Sequence, residues 1–202
     1  PNGNKGPVAS SLEGFRKYHA ESSWTWEHMA LTRARVIAGC PELAERIEGE
    51  IKAVLCQPRD AEELRKSVSE MRQRMALGHP ETSPWRLKHW RGGLVDAEFI
   101  VQYLQLKHAH DHPEVIEGNT ALACGRLAMI GALMEEDAST LAGAVRLYRD
   151  IQGLLRLTVD DAFDPARAPR SLKDRLAQVG GASDFPALEA RIEETGGKVR
   201  EL

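Results

Sequence analysis

The sequence contains few of the residues that mark disulfide-bonded or zinc-binding domains. Three cysteines occur in 202 residues, Cys40, Cys56 and Cys124, and no two of them have the C-x-x-C spacing. An odd number of widely separated cysteines predicts neither a disulfide framework nor a zinc cage. The sequence also lacks an Asn-x-Ser/Thr glycosylation site. These absences favour a protein of the reducing cytoplasm.

Long apolar runs and an excess of positive charge are lacking as well. No stretch approaches the roughly 20 apolar residues that a membrane-spanning helix needs, and no secretory leader pattern is present. The 27 Lys and Arg residues against 30 Asp and Glu residues give a net charge of −3. This balance argues against nonspecific binding to nucleic acid or to an anionic membrane. We therefore expect neither among the partners.

The pattern of apolar residues is helical along nearly the whole chain, and strong strand patterns are lacking. The predicted fold is all-α, a bundle of about six to eight mostly antiparallel helices with a C-terminal helical appendage. Pro165 and Pro169 interrupt the pattern, so we place the bundle at residues 11–160 and the appendage at 161–202. The predicted helices cover residues 12–20, 23–37, 41–57, 61–78, 94–109, 121–134, 137–158, 172–179 and 185–194. The helix 94–109 is apolar on almost every side, which predicts a central, buried element.

A double-glycine turn, Gly92 and Gly93, precedes that helix, with Lys88 and Arg91 shortly before it. Glycines let a ligand approach the backbone closely, and the N–H groups at the start of a helix attract anions. Because the basic side chains reinforce that preference, the pattern predicts a phosphate-binding turn. The structural alternative is a plain connection, which a glycine pair before a helix also forms.

Two carboxylates, Asp96 and Glu98, lie in the first turns of the same helix. Acidic side chains suit the positive end of a helix dipole and can also hold a divalent cation. Because the two residues are two positions apart, they point to different sides of the helix and cannot both face one ligand. We expect Asp96 to face the site, since Glu98 shares a helix face with Gln102 and can pair within the bundle.

Two other polar clusters favour structural interpretations. His108 and His112 have the i, i+4 spacing of a metal-binding pair, but Pro113 ends the helix there and no further ligand cluster accompanies them. We therefore predict a polar helix end and no metal site. Arg33 is expected on a solvated face or in a bridge to Glu27, rather than in contact with a nucleotide.

Two blocks of sequence occur together in this chain and carry a family resemblance. Residues 24–35 read Trp-Thr-Trp-Glu-His-Met-Ala-Leu-Thr-Arg-Ala-Arg, and residues 92–104 read Gly-Gly-Leu-Val-Asp-Ala-Glu-Phe-Ile-Val-Gln-Tyr-Leu. Together they resemble glutamine synthetase adenylyltransferase, and the Trp-x-Trp-Glu-His form is similar to the second, adenylylating half of that bifunctional enzyme. Residues 1–9 resemble the closing turn of the family's nucleotidyltransferase domain. We therefore interpret residues 1–10 as the tail of such a domain and the chain as cut from a longer polypeptide.

The resemblance implies a helical domain that packs behind a nucleotidyltransferase domain and helps to close its nucleotide site. Lys88, Gly92 and Gly93 match the family pattern and would bind ATP, with Asp96 and Glu98 in supporting roles. The resemblance further implies ATP and Mg²⁺ as cofactors of the whole enzyme. The implied partners are glutamine synthetase, the PII signal protein and the chain's own upstream nucleotidyltransferase domain.

In this family the metal-binding aspartates and a Gly-Ser turn belong to the preceding domain. The present sequence has no Gly-Ser followed by Asp-x-Asp, so this chain alone is expected to be inactive and to bind no cofactor. Two alternatives stay open. One is the helical domain of the related PII uridylyltransferase, which shares the double-glycine turn. The other is a noncatalytic docking or regulatory module for PII or glutamine synthetase.

Overall fold

A computed structural model describes residues 9–160 and 162–202. The regular secondary structure within these residues consists of helices alone. This confirms the predicted all-α fold. A short 3-10 turn, Pro113–Val115, separates the fifth and sixth helices. The helices are α1 (Leu12–Glu21), α2 (Thr25–Leu31), α3 (Pro41–Leu55), α4 (Ala61–Gly78), α5 (Leu94–His108), α6 (Thr120–Met129), α7 (Glu135–Thr158), α8 (Arg170–Val179) and α9 (Phe185–Glu201).

Side-chain caps fix where several of these helices begin. The Asp60 carboxylate accepts a hydrogen bond from the Glu63 amide at 2.8 Å, which confirms the cap predicted for α4. Asn119 caps α6 in the same way, and Asp184 caps α9 by accepting from the Ala187 amide at 2.8 Å. Each cap satisfies an amide that has no partner within its helix, and such a cap contributes about 1 kcal/mol.

The main core lies around α5, α6 and α7. Val101 of α5, Leu127 of α6 and Tyr148 of α7 are fully buried within it. A second cluster joins the N-terminal helices to α5 and consists of Met29, Leu55, Leu64 and Leu106. Because α5 contributes to both clusters, it is the central helix that its apolar sequence predicts.

The two C-terminal helices pack on the same core. Leu176 of α8 and Leu188 of α9 are fully buried, and α9 contacts both α5 and α7. Trp85 stacks on Phe185 at the start of α9, with ring centroids 5.1 Å apart and planes 3° from parallel. The helices of the predicted appendage are therefore tied to the bundle by buried apolar contacts.

The second helix is shorter than predicted. It ends at Leu31, whereas the apolar spacing predicts a helix to residue 37. Thr32 donates its hydroxyl to the Met29 carbonyl at 2.7 Å, and the chain leaves the helix there. Ile37 is 84% exposed, so the last part of the apolar pattern does not mark a buried helical face. The prediction was wrong beyond Leu31.

Two other helix ends differ from the predictions. α6 ends at Met129 instead of near residue 134, and Gly131 follows with a φ of +72°. α9 continues to Glu201, past the predicted end at residue 194, and Gly196 lies inside it. The predicted domain tail at residues 1–10 falls almost wholly outside the described residues. Across residues 9–160 and 162–202, none of the helices has the length and apolarity needed to cross a membrane.

Candidate functional site

The double-glycine loop, residues 87–93, precedes α5 and is bound to its first turn through the backbone. The amide of Leu94 donates to the Leu87 carbonyl at 2.8 Å, and the amide of Val95 donates to the Lys88 carbonyl at 3.1 Å. Both amides would otherwise be unpaired, because the first turn of a helix has no acceptor within the helix. The loop therefore caps α5 and has a fixed shape.

Asp96 closes this loop from the side of α5. Its carboxylate accepts a hydrogen bond from the Gly92 amide at 2.5 Å and two from the guanidinium of Arg72 in α4, of which the longer is 3.1 Å. The Gly93 amide donates to the Trp90 carbonyl at 2.8 Å. Both glycine amides are thus hydrogen-bonded within the chain. The sequence pattern predicts that they point to an incoming anion, and this prediction is wrong for both amides.

The two glycines are required by close packing. Gly92 has a φ of +82°, and a Cβ atom there would lie 2.1 Å from the Gly196 carbonyl oxygen of α9. A Cβ atom on Gly93 would lie 2.3 Å from the Leu87 carbonyl oxygen. Neither position has room for a side chain, and a positive φ disfavours residues other than glycine. The pair therefore serves the tight turn and its contact with α9.

α7 and α9 cover the glycine side of the loop. The buried hydroxyl of Tyr148 donates to the Gly92 carbonyl at 3.0 Å, and burial raises the pKa of that hydroxyl, so it stays protonated. Arg200 of α9 donates to the Arg91 carbonyl at 3.0 Å, and its guanidinium lies 5.3 Å from the centre of the Trp90 ring. These contacts leave the basic side of the loop as its accessible face.

Lys88 is on that accessible face. Its side chain is exposed and borders a cleft of about 300 Å³ between the loop and the C-terminal part of α7. Arg86, Arg156 and Gln152 also line the cleft, and Arg86 is 3.6 Å from the Glu81 carboxylate. The cleft therefore presents cationic side chains to solvent next to a rigid loop.

Glu98 points to the other side of α5 and pairs within the bundle. Its Oε1 accepts from Arg33 Nη1 at 2.8 Å and from Arg149 Nη2 at 2.9 Å, and its side chain is 12% exposed. Arg149 also donates to the Thr120 hydroxyl at 3.0 Å. Glu98 thus pairs within the bundle, as predicted, but its partners are arginines of two distant segments and not Gln102, with which it shares a helix face. No signal within the sequence predicts Arg72 or Arg149 as partners.

The histidine cluster after α5 forms a polar helix end. His112 Nδ1 lies 3.1 Å from Glu114 Oε1, and His110 Nδ1 lies 3.1 Å from the Cys56 carbonyl oxygen. In the part of the chain that the structure describes, no group of three or more His, Cys, Asp or Glu residues is arranged to hold a metal ion.

A partly buried polar cluster joins α1 to α2. Tyr18 donates its hydroxyl to Glu27 at 2.6 Å, and His28 Nε2 lies 2.7 Å from the Ser23 hydroxyl. Burial, together with the nearby charge of Arg59, lowers the pKa of His28 to about 4. His28 is therefore neutral near pH 7.

Two family models match this chain. Residues 62–202 match the model described as GlnD PII-uridylyltransferase, and residues 1–50 match the model described as Glutamate-ammonia ligase adenylyltransferase. Both descriptions name nucleotidyltransferases, so the helical bundle with its double-glycine loop is similar to parts of enzymes of that class. The boundary between the two matches lies between the C-terminal part of α3 and the start of α4.

Three curated relatives carry the name bifunctional glutamine synthetase adenylyltransferase/adenylyl-removing enzyme. They come from Bradyrhizobium diazoefficiens, Rhodopseudomonas palustris and Xanthobacter autotrophicus and are 45%, 46% and 46% identical to this chain over all of its 202 residues. The chain belongs to the glutamine synthetase adenylyltransferase family, as its sequence blocks predict. It spans 20% of the length of each of these relatives.

Proposed function

We propose that this chain is the helical segment that follows the second, adenylylating nucleotidyltransferase domain of a glutamine synthetase adenylyltransferase. The observation that carries the proposal is the 45% identity, over the whole of this chain, to a relative with that name. The chain spans 20% of that relative, and the family pattern leads us to assign the catalytic aspartates and the Gly-Ser turn to a preceding domain. The segment alone is expected to be inactive. The whole enzyme would regulate glutamine synthetase and, through it, nitrogen metabolism.

In the proposed reaction, the hydroxyl of a glutamine synthetase tyrosine attacks the α-phosphorus of ATP. A new P–O bond forms to the tyrosine oxygen, pyrophosphate leaves with the electron pair of the broken bond, and the hydroxyl proton passes to a base. Such displacements are catalysed mainly by positioning and by neutralising negative charge. The present segment would contribute one wall of the reaction chamber.

The accessible face of the double-glycine loop fits the phosphate part of ATP. The cleft beside Lys88 is lined by three cationic side chains, those of Arg86, Lys88 and Arg156, against the carboxylates of Glu81 and Asp160. An ammonium group on a backbone that is tied to α5 can hold phosphate oxygens at a fixed position. Lys88 would therefore orient the phosphates, and Asp96 would support it indirectly by closing the loop.

The described residues do not fit a magnesium site. Asp96, the carboxylate nearest to the loop in sequence, is bound to Arg72 and to the Gly92 amide, and Glu98 is bound to two arginines. Carboxylates that are paired in this way are poor ligands for a hard cation, which needs several free oxygens. The proposal therefore assigns Mg²⁺ to the acidic residues of the preceding domain.

The test is the Lys88→Ala variant of the full-length enzyme. The side chain is exposed, so the variant should fold normally while the rate of AMP transfer from ATP to glutamine synthetase falls by about tenfold or more. Lys66→Ala, which removes an exposed lysine of α4, is the matched control and should transfer AMP normally. Normal transfer by the Lys88→Ala enzyme would show that the loop has no role in nucleotide binding.

The match of residues 62–202 to a PII-uridylyltransferase model favours a second candidate function, in which the segment belongs to an enzyme that modifies PII or to a module that binds PII. The full-length protein can be incubated with labelled ATP or labelled UTP and with PII or glutamine synthetase. The leading proposal expects label from ATP on glutamine synthetase. Label from UTP on PII supports uridylyltransferase activity. Retention of PII at micromolar concentration without any transfer supports a docking module.

A further inference from the structure

We propose that Gly196 of α9 is a positioning residue for the double-glycine loop. By bringing the backbone of α9 against Trp90 and Gly92, it would hold the loop and, through the loop, the Lys88 side chain. The inference rests on the proposed function of Lys88 and adds a residue of the C-terminal helix to that site. Gly196 itself is not expected to touch the nucleotide.

The contact between α9 and the loop requires a glycine on each side, Gly196 in α9 and Gly92 in the loop. A Cβ atom on Gly92 would lie 2.1 Å from the carbonyl oxygen of Gly196. A Cβ atom on Gly196 would lie 2.2 Å and 2.5 Å from two carbons of the Trp90 ring. Contacts this short cannot be accommodated unless the ring or the helix moves. The backbone of α9 therefore lies directly against the loop.

The neighbouring Gly197 shows that this contact is specific to one position. Apart from its chain neighbours and the backbone of its own helix, the nearest atom to a Cβ atom on Gly197 would be Arg200 Nη2 at 3.7 Å, which is an ordinary van der Waals distance. Glycine inside a helix is less favourable than alanine, because it loses more backbone entropy on folding. The close packing on Trp90 explains why residue 196 is a glycine. At Gly197 no such contact is present.

Two further contacts bind the same stretch of the loop. Tyr148 donates to the Gly92 carbonyl, and Arg200 donates to the Arg91 carbonyl and lies over the Trp90 ring. The other end of the loop is attached to α5 through the Lys88 carbonyl. Lys88 lies between Arg86 and Trp90, and the Trp90 amide donates to the Arg86 carbonyl at 3.0 Å, so a displacement of Trp90 would strain the short turn that carries Lys88.

The experiment is a double-mutant cycle in the full-length enzyme, with AMP transfer to glutamine synthetase as the readout. Gly196→Ala should lower kcat/KM on the order of tenfold, because small displacements of a positioning group are costly. Gly197→Ala, the matched control, should transfer AMP as the wild type does. In the Lys88→Ala background, Gly196→Ala should add little further loss, since it acts through a side chain that is already absent. Circular dichroism establishes that each variant is folded at the assay temperature.

Additive losses in the cycle would overturn the inference, because a general structural defect would lower activity in either background. Normal transfer by Gly196→Ala beside impaired transfer by Lys88→Ala would overturn the inference and leave the proposed function intact. Normal transfer by Lys88→Ala would overturn both. If Gly196→Ala does not fold, Arg200→Met replaces it in the same cycle, because it removes the bond to the Arg91 carbonyl without adding bulk to the helix. The same non-additivity is then expected, with a smaller loss.

Discussion

The carboxylate of Glu98 holds two arginines from distant parts of the chain, and we predict that Glu98→Gln destabilises the bundle. Glutamine keeps the shape of the side chain but removes its charge. Arg33 and Arg149 would then lie close together with no anion between them. The effect should appear as a lower free energy of unfolding, without a change of fold.

The magnitude follows from the exposure of the three side chains. A hydrogen bond to a charged group contributes about 1.5–3 kcal/mol when it is shielded from water, whereas exposed ion pairs contribute about 0–1 kcal/mol. Glu98 is 12% exposed, and Arg33 and Arg149 are 43% and 37% exposed, so both contacts lie between these limits. We expect a loss of about 2 kcal/mol, which corresponds to a fall in Tm of about 4–8 °C for a domain of this size.

Thermal unfolding followed by circular dichroism at low salt measures this difference. The difference should shrink at high salt, because ions screen the partly exposed arginines. Glu62→Gln is the matched control, since the Glu62–Arg65 pair is exposed on both sides at 77% and 68%. Its Tm should stay close to that of the wild type. If Glu98→Gln unfolds at the same temperature as Glu62→Gln, the reasoning about the shielded carboxylate is refuted.

Two further predictions concern the buried groups. The pKa of His28 is about 4 in the folded protein and about 6.5 in the unfolded chain, so its stabilising effect is present above pH 6.5 and is lost as the pH falls toward 4. Tm should therefore fall less steeply between pH 7 and pH 4.5 in His28→Gln than in the wild type, and equal slopes would contradict this. Leu188→Ala should lower the free energy of unfolding by about 2–5 kcal/mol, measured by urea denaturation, because Leu188 is fully buried. A negligible change would mean that α9 is not part of the core.

The elements that the sequence predicts best are those in which local signals and packing agree. α5 is apolar on nearly all sides and begins directly after two glycines, and its observed bounds differ from the predicted ones by one residue. α4 has an Asp60 cap and ends at Gly78, as predicted. In both cases the residues that start and stop the helix act within one turn of its ends, so a local pattern is sufficient.

The errors arise where a distant contact decides the local structure. α2 stops at Leu31, and Arg33 just beyond it reaches Glu98, which is 65 residues away in sequence. α9 continues through Gly196, because Trp90 packs on that glycine, whereas glycine within a helix normally signals an end. Neither contact leaves a mark in the neighbouring sequence. The same holds for Arg72, whose contact with Asp96 depends on how α4 lies against α5.

The contact between Gly92 and Gly196 also has a consequence for the order in which the protein is assembled. A ribosome makes the loop about a hundred residues before it makes the part of α9 that covers the loop, and domains begin to fold while synthesis continues. Until then Trp90 lacks its contact with Gly196. A nascent chain halted before Gly196 would therefore carry the loop without its contacts to Gly196 and Arg200, and the proposed contact of Lys88 with a nucleotide would gain this support only after α9 has been synthesised.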